Sequence, residues 1–188
     1  MTSSRKIVVH IAASADGYIA RADGDLEWLT ARPKPEGFYG MGEFMKTVDT
    51  KVLGRKTYEE ALKLGATFEG KDGRTIVFSH QAAPTGTRPS VEFVNDAIGS
   101  FVSRLRAQPG KDIWLMGGGE IIAAFLDAKA IDEFVISVVP IFIGDGIPLI
   151  ARKHRHIPLE LLTTQRFDDG LVQSRYRVLN RRASGADS

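Results

Sequence analysis

The 188-residue sequence contains no cysteine. That excludes a disulfide scaffold, a cysteine nucleophile and thiolate zinc sites. It carries no strong excess of either charge. Lys+Arg 25 against Asp+Glu 23 gives a formal charge of +2, too balanced for the basic surplus that drives nucleic-acid binding. It has no apolar run near the ~18–20 residues of a membrane span. The short polar start, Met1 to Lys6, is followed by a strand-sized apolar run without a small-residue cleavage pattern, so no signal peptide is expected. A protein without membrane or nucleic-acid partners, working in the cytoplasm, is the expectation.

What remains is ordinary globular composition, with 43% hydrophobic and 26% charged residues. At this length folding hides roughly 70% of the unfolded chain's surface, enough for a core without staples. One domain over 1–180 is expected, with a frayed polar tail over 181–188.

Short apolar runs recur between turn residues: Ile7–Ala13, Lys51–Leu53, Thr75–Ser79, Val91–Val94, Ile113–Met116 and Phe134–Val139. Rich in Val, Ile and Phe, they read as strands buried on both faces. Between them, Ala97, Ile98, Phe101, Val102 and Leu105 share one helical face, with Asn95 or Asp96 as cap. Ile121, Ile122, Phe125 and Leu126 do the same after a glycine triplet. Thr57 and Glu60 have capping-box spacing, which predicts a helix starting near Thr57. Phe38–Lys46 is a further helix candidate, weakened by Gly40 and Gly42. Leu159–Phe167 and Leu171–Leu179 flank Asp169-Gly170 and read as an antiparallel hairpin. Together these give an α/β, three-layer αβα domain with a mixed central sheet closed by a C-terminal hairpin. Trp114, inside a predicted strand, reads as core rather than site.

Two strand-to-helix turns carry candidate chemistry. They are Leu53-Gly54-Arg55-Lys56-Thr57 and Met116-Gly117-Gly118-Gly119-Glu120. A helix start offers unpaired N–H groups and partial positive charge to a phosphate, and glycine lets the backbone approach it. Arg55 adds a planar fork matched to phosphate oxygens. Two such turns suit a ligand with two separated phosphate groups. The triplet also reads as close helix–sheet packing, and the Gly54–Thr57 turn as a plain helix start. Ile122 stands where a Rossmann fingerprint needs glycine, and Arg55 where a P-loop needs one.

In the first loop, Asp25, Glu27 and Trp28 are candidates for contact with a substrate. A carboxylate beside an aromatic can have a raised pKa and donate a proton; the same residues also read as a solvated acidic loop with one anchoring Trp. The basic run Arg152-Lys153-His154-Arg155-His156 reads as a solvated loop, having no interleaved aromatics. No metal site is expected, because His154 and His156 have no nearby third ligand in the sequence.

Taken together, four segments resemble the dihydrofolate reductase superfold, and within it the reductase domain of riboflavin biosynthesis. Ile11–Ala20, containing Ser14-Ala15-Asp16-Gly17, resembles the first strand and the loop entering the nicotinamide site. Leu53-Gly54-Arg55-Lys56-Thr57-Tyr58-Glu59 is similar to the family's G-R-x-T-[WY]-E segment, which holds the cofactor phosphates. Met116-Gly117-Gly118-Gly119 resembles the turn under the pyrophosphate. Asp132-Glu133, Pro140 and Ile143-Gly144-Asp145-Gly146 resemble the D-E-…-P-x-x-x-G-x-G stretch of the riboflavin branch.

The resemblance implies NADPH as cofactor, with Ala13 and Ile19 near the nicotinamide. Arg55 and Ser79 would meet the 2′-phosphate, and Thr57 with Gly117, Gly118, Gly119, Glu120 and Ile121 would face the pyrophosphate. His80 would flank the adenine ribose phosphate, or be a surface-loop histidine. It further implies a homodimer and reduction of a ribosylamino-pyrimidine 5′-phosphate at the ribose. Reduction of a pterin or another small heterocycle, and non-catalytic NADPH binding, are the alternatives. The chain departs from the family in places. Phe38 stands at the pterin-binding carboxylate position. Met116 replaces the glutamate before the glycine turn, and Ala61-Leu62-Lys63-Leu64 replaces a D-x-P-x-L-T segment. No zinc-deaminase signature is present, so only a stand-alone reductase is expected.

Overall fold

The computed structural model describes residues 5–32, 35–70 and 73–179. The tail expected over 181–188 lies outside the described residues. Among the described residues, ten strands and five helices are laid out in the order β1 (Ile7–Ser14), β2 (Tyr18–Ala20), α1 (Glu27–Thr30), α2 (Met41–Thr47), β3 (Val48–Gly54), α3 (Arg55–Lys63), β4 (Arg74–Phe78), β5 (Val91–Val94), α4 (Ile98–Arg106), β6 (Asp112–Gly117), α5 (Gly119–Asp127), β7 (Glu133–Val139), β8 (Ile147–Pro148), β9 (Leu159–Arg166) and β10 (Val172–Val178). A 3-10 turn at Phe38–Gly40 leads into α2.

The central sheet runs β5-β4-β3-β6-β1-β7-β10-β9. Six neighbouring strands are parallel; β10 runs antiparallel to β7, and the edge strand β9, antiparallel to β10, runs with the other six. Parallel strands joined through helices must be covered on both faces, and strand alternation divides the core accordingly. Ile7, Val9, Val52, Ile76, Ile113 and Leu115 pack under Phe101, Val102 and Leu105 of α4 and Ile122, Phe125 and Leu126 of α5. Leu53 and Val77 face the other way, against Tyr58 of α3 and Phe68. Further along that second face, Trp28, Val139 and Leu171 form a third cluster with Ala12 and Tyr39. The result is the three-layer αβα architecture with a mixed sheet.

Every run read as a strand contains one, with ends shifted by at most three residues in either direction. Local capping differs from expectation. α3 starts at Arg55 with Gly54 as N-cap and no side-chain cap, so Thr57 caps nothing and Glu60 pairs with Lys63 at 2.6 Å. α4 is entered through Ala97, while Asp96 forms an ion pair with Arg104. Trp114 is half-buried rather than core: its indole N–H donates to the His10 carbonyl at 3.0 Å, and its ring meets Phe44 edge-on at 5.6 Å. The sequence reading missed α1 and the small β2–β8 sheet, both too short to carry a period.

Candidate active site

Parallel strands β3 and β6 are neighbours, with Leu53 paired to Gly117. Their C-terminal ends therefore release two helices side by side, as ligand crevices of open α/β sheets require. A Cβ at Gly54 would lie 3.9 Å from the Ile121 side chain and 4.0 Å from the Gly117 carbonyl oxygen. Neither α3 nor α5 has a side-chain cap. Both helix starts thus leave amide N–H groups without an N-cap side chain, which is the chemistry an anion exploits.

The three glycines of the second turn have three different reasons. Gly117 has φ +118, a region L side chains avoid, and its space is bounded by Ile11. The Gly117–Gly118 peptide bond is cis. Gly118 faces the cleft, where a Cβ would stand 3.2 Å from Thr57 Oγ1 and 3.9 Å from Ile19 Cδ1. Gly119 is buried, and a Cβ there would overlap the Pro148 carbonyl oxygen. Close packing therefore explains Gly119, and Gly118 is tightly placed as well, its missing Cβ position bounded by Thr57 Oγ1 and Ile19 Cδ1. Glu120 is exposed, and Ile121 is half-buried against the first turn.

Arg55 is brought to Ser79, as expected. Its guanidinium lies 3.4 Å from Ser79 Oγ, donates to the Ala82 carbonyl at 2.9 Å and to Glu59 at 2.8 Å, and lies 5.8 Å from the Phe93 ring centre. The fork is held at the mouth of the first turn with about a quarter of its side chain exposed, 24%. Lys56 and His80 are exposed nearby in the sequence, and no contact joins them to this cluster. Ala13 is buried at the end of β1, and Ile19 is half-buried on β2.

Of the candidates in the first loop, the two acids are exposed and only Trp28 turns inward. Asp25 is exposed, lies 3.6 Å from Arg21 Nε and accepts the Glu27 amide N–H at 3.2 Å. Glu27 is exposed on the first turn of α1. Trp28 turns inward, 8% exposed, against Val139 and Leu171, and its indole N–H has no hydrogen-bond partner.

Sequence reasoning missed the polar frame of this side. Asp169, in the β9–β10 turn, accepts Arg32 at 2.7 Å and the Tyr39 hydroxyl at 2.5 Å. These two donors pull its pKa down to about 2, the tyrosine hydrogen bond contributing most. Phe38 and Tyr39 both have positive φ, 44 and 56, a strained conformation for aromatics. On the sheet floor, His10 is 6% exposed, its ring edge-on to Phe44 at 4.5 Å, with Gln173 linking Ser137 and the Tyr39 carbonyl beside it. Burial, reinforced by Arg175, lowers the His10 pKa to about 4, so the imidazole is neutral at pH 7. These groups come from positions up to 163 residues apart in the chain, so no local motif announces them.

Two cavities of about 330 and 320 Å³ lie elsewhere, one around Arg5, Asp49 and Ser90 and one around Phe134, Ile136 and Ile157. Neither is lined by a candidate site residue. Among the described residues, no helix is long and apolar enough to cross a membrane.

The RibD C-terminal domain family matches residues 5–173. Uncharacterized protein YwjB of Bacillus subtilis (strain 168) is 39% identical, over 92% of this chain and 97% of its own. Two solved structures share the fold. The diaminohydroxyphosphoribosylaminopyrimidine deaminase/5-amino-6-(5-phosphoribosylamino)uracil reductase of Thermotoga maritima is 20% identical with TM-score 0.69, over 93% of this chain and 57% of that one. Dihydrofolate reductase from Enterococcus faecalis, solved with NADP(H), is 15% identical with TM-score 0.64, over 93% and 97%.

Proposed function

The chain belongs to the RibD C-terminal domain family, and on that premise we propose that it is an NADPH-dependent reductase whose acceptor is a ribosylamino-pyrimidine 5′-phosphate. The observation that carries the cofactor reading is the pair of adjacent helix starts without side-chain caps, with Arg55 and Ser79 at one end and Gly118 close against Thr57 and Ile19 at the other. The spacing suits a ligand with two phosphate sites, and a side chain at Gly118 would crowd Thr57.

In this reading NADPH supplies the hydride. The protein supplies position and exclusion of water. Arg55 and Ser79 hold the 2′-phosphate. The Thr57 hydroxyl and the amides at 118–121 hold the pyrophosphate, with Glu120 turned to solvent. Gly54 lets the two turns approach, and Lys56 and His80 add positive or polar character at the outer end. Ala13 and Ile19 form the nicotinamide floor. Trp28 borders the acceptor, and Asp25 or Glu27 returns a proton to the reduced substrate. The acceptor class is supported by family membership and by the reaction in the Thermotoga relative's name.

A homodimer belongs to the same reading. Exposed Val138, Val172 and Leu161 share one sheet face by strand register and give it an apolar surface.

Stopped-flow NADPH oxidation against pyrimidine ribosylamino-phosphates, pterins and quinones tests the assignment. Turnover with the pyrimidine phosphate alone is expected. Turnover with a pterin instead replaces the acceptor, and tight NADPH binding without any turnover leaves a non-catalytic binder.

A further inference from the structure

Asp16 lies in the exposed turn between β1 and β2, yet its carboxylate is fully engaged by its own chain. It accepts the Ser14 hydroxyl at 2.5 Å, the Ile143 amide at 3.1 Å and the Gly144 amide at 2.8 Å. Ser14, 2% exposed, accepts the Tyr18 amide in turn at 3.0 Å. One further bond, from the Ala15 amide to the Ile141 carbonyl at 2.8 Å, closes the contact. Two loops far apart in sequence are thereby clasped at one carboxylate. The Ser14 hydroxyl, and then the two amides, hold its pKa below the usual carboxylate range.

The clasp has a mechanical consequence. The chain beyond it runs as a strap along β2. A Cβ at Gly146 would overlap the Ala20 carbonyl, and the Leu149 amide donates to the Gly17 carbonyl at 3.0 Å. The strap then reaches the glycine turn, where Pro148 fills the space a Cβ at Gly119 would take and the Ala151 amide donates to the Gly119 carbonyl at 3.0 Å. Its far half is thus fixed by backbone bonds that do not involve Asp16. The near half is joined to the 14–18 turn by the Asp16 carboxylate and the Ala15–Ile141 bond, while β2 itself pairs with β8 through Tyr18–Pro148 and Ala20–Ile147. Ile19 Cδ1 in turn lies 3.9 Å from where a Cβ at Gly118 would stand.

We propose that Asp16 is a positioning residue for the nicotinamide end of the cleft: its clasp between the 14–18 turn and the 141–146 loop sets where Ile19 stands. This rests on the NADPH reading above. With all three bonds directed into its own backbone and Ser14, Asp16 acts through Ile19 and not on the acceptor.

A positioning role and a general stabilising role separate by ligand fragment. NADPH and adenosine 2′,5′-bisphosphate, which lacks the nicotinamide half, are titrated calorimetrically into full-length wild type, Asp16→Ala and Asp16→Asn. Asp16→Ala is expected to weaken NADPH about 10-fold, the loss of roughly one charge-assisted hydrogen bond, while the bisphosphate changes less than about 2-fold. Asp16→Asn keeps one acceptor, gives an intermediate loss, and is the variant that decides if Asp16→Ala does not fold. Equal weakening of both ligands, or of neither, overturns the proposal. Wild type that binds neither ligand overturns the NADPH reading itself, and that result is visible before any variant is made.

Discussion

The two regions of the proposed site are built on different terms. In the proposed cofactor region, β1, β3 and β6 are buried parallel strands, and the candidate phosphate-binding groups hang on two helix starts within a few residues of a strand end. The proposed acceptor region is assembled from α1, the Phe38–Gly40 turn, the 141–146 loop and the β9–β10 turn, tied by Arg32, Tyr39, Asp169 and Gln173. One side is fixed by a repeating sheet and helix geometry, and the other by polar contacts between distant segments. The first reads as a motif, and its ligand follows from phosphate chemistry. The second leaves acceptor choice to a few side chains that no local pattern links.

If the contrast is right, damage to the cofactor side should be large and specific to the cofactor. Gly118→Val puts a branched side chain into the position bounded by Thr57 Oγ1 at 3.2 Å. NADPH binding should fall by more than about 100-fold, with the circular dichroism spectrum retained. Unchanged affinity by calorimetry removes the pyrophosphate from this turn.

Acceptor-side changes should spare cofactor affinity and strike turnover. If Asp25 or Glu27 returns the proton, Asp25→Asn or Glu27→Gln should lower turnover about 100-fold with NADPH affinity intact. Full activity in both variants assigns the proton to water or to a substrate group.

A third prediction concerns the floor beneath the acceptor side. His10 is neutral in the fold, with its pKa lowered to about 4 by burial and then by Arg175, against 6.5 when unfolded. The unfolded chain therefore binds the proton first. The stability His10 confers is complete above pH 6.5 and is lost as pH falls from 6.5 to 4. The loss amounts to about 3 kcal/mol, at 1.36 kcal/mol per pH unit. Urea unfolding at pH 7 and pH 4.5 measures it, and His10→Gln should flatten the dependence by most of that amount. An unchanged slope in the variant places the titration on other groups.

The same contrast explains what was legible beforehand. Val91–Val94 was read residue for residue and the other buried strands nearly so, because apolar runs between turn residues have few alternatives. Arg55 and Gly118 stand out in the sequence because strand, turn and helix start are contiguous there, whereas Ser79, between β4 and β5, enters only through the family resemblance. Helix caps were misread because Gly54 and Ala97 enter their helices with no side-chain cap at all, while Thr57 and Asp96 fit patterns that the fold does not use. Gly119 was grouped with the phosphate contacts, whereas the strap at Pro148 demands its glycine. Asp169 reads only as a hairpin-turn residue and His10 carries no local signal, since both become significant only when Tyr39 and Gln173 are folded against them.

The central claim is that the first turn holds the phosphate that distinguishes NADPH from NADH. Its most direct measurement is a set of four dissociation constants, for NADPH and NADH with wild type and Arg55→Ala at fixed salt. Losing a guanidinium–phosphate contact costs about 1.5–3 kcal/mol, so Arg55→Ala should weaken NADPH roughly 10- to 100-fold. Lys56 and His80 retain part of the attraction, which favours the lower figure, and NADH should be nearly unaffected. Equal loss for both cofactors would make Arg55 a structural residue of the Glu59–Ala82 contact, and a wild type that prefers NADH would contradict the account.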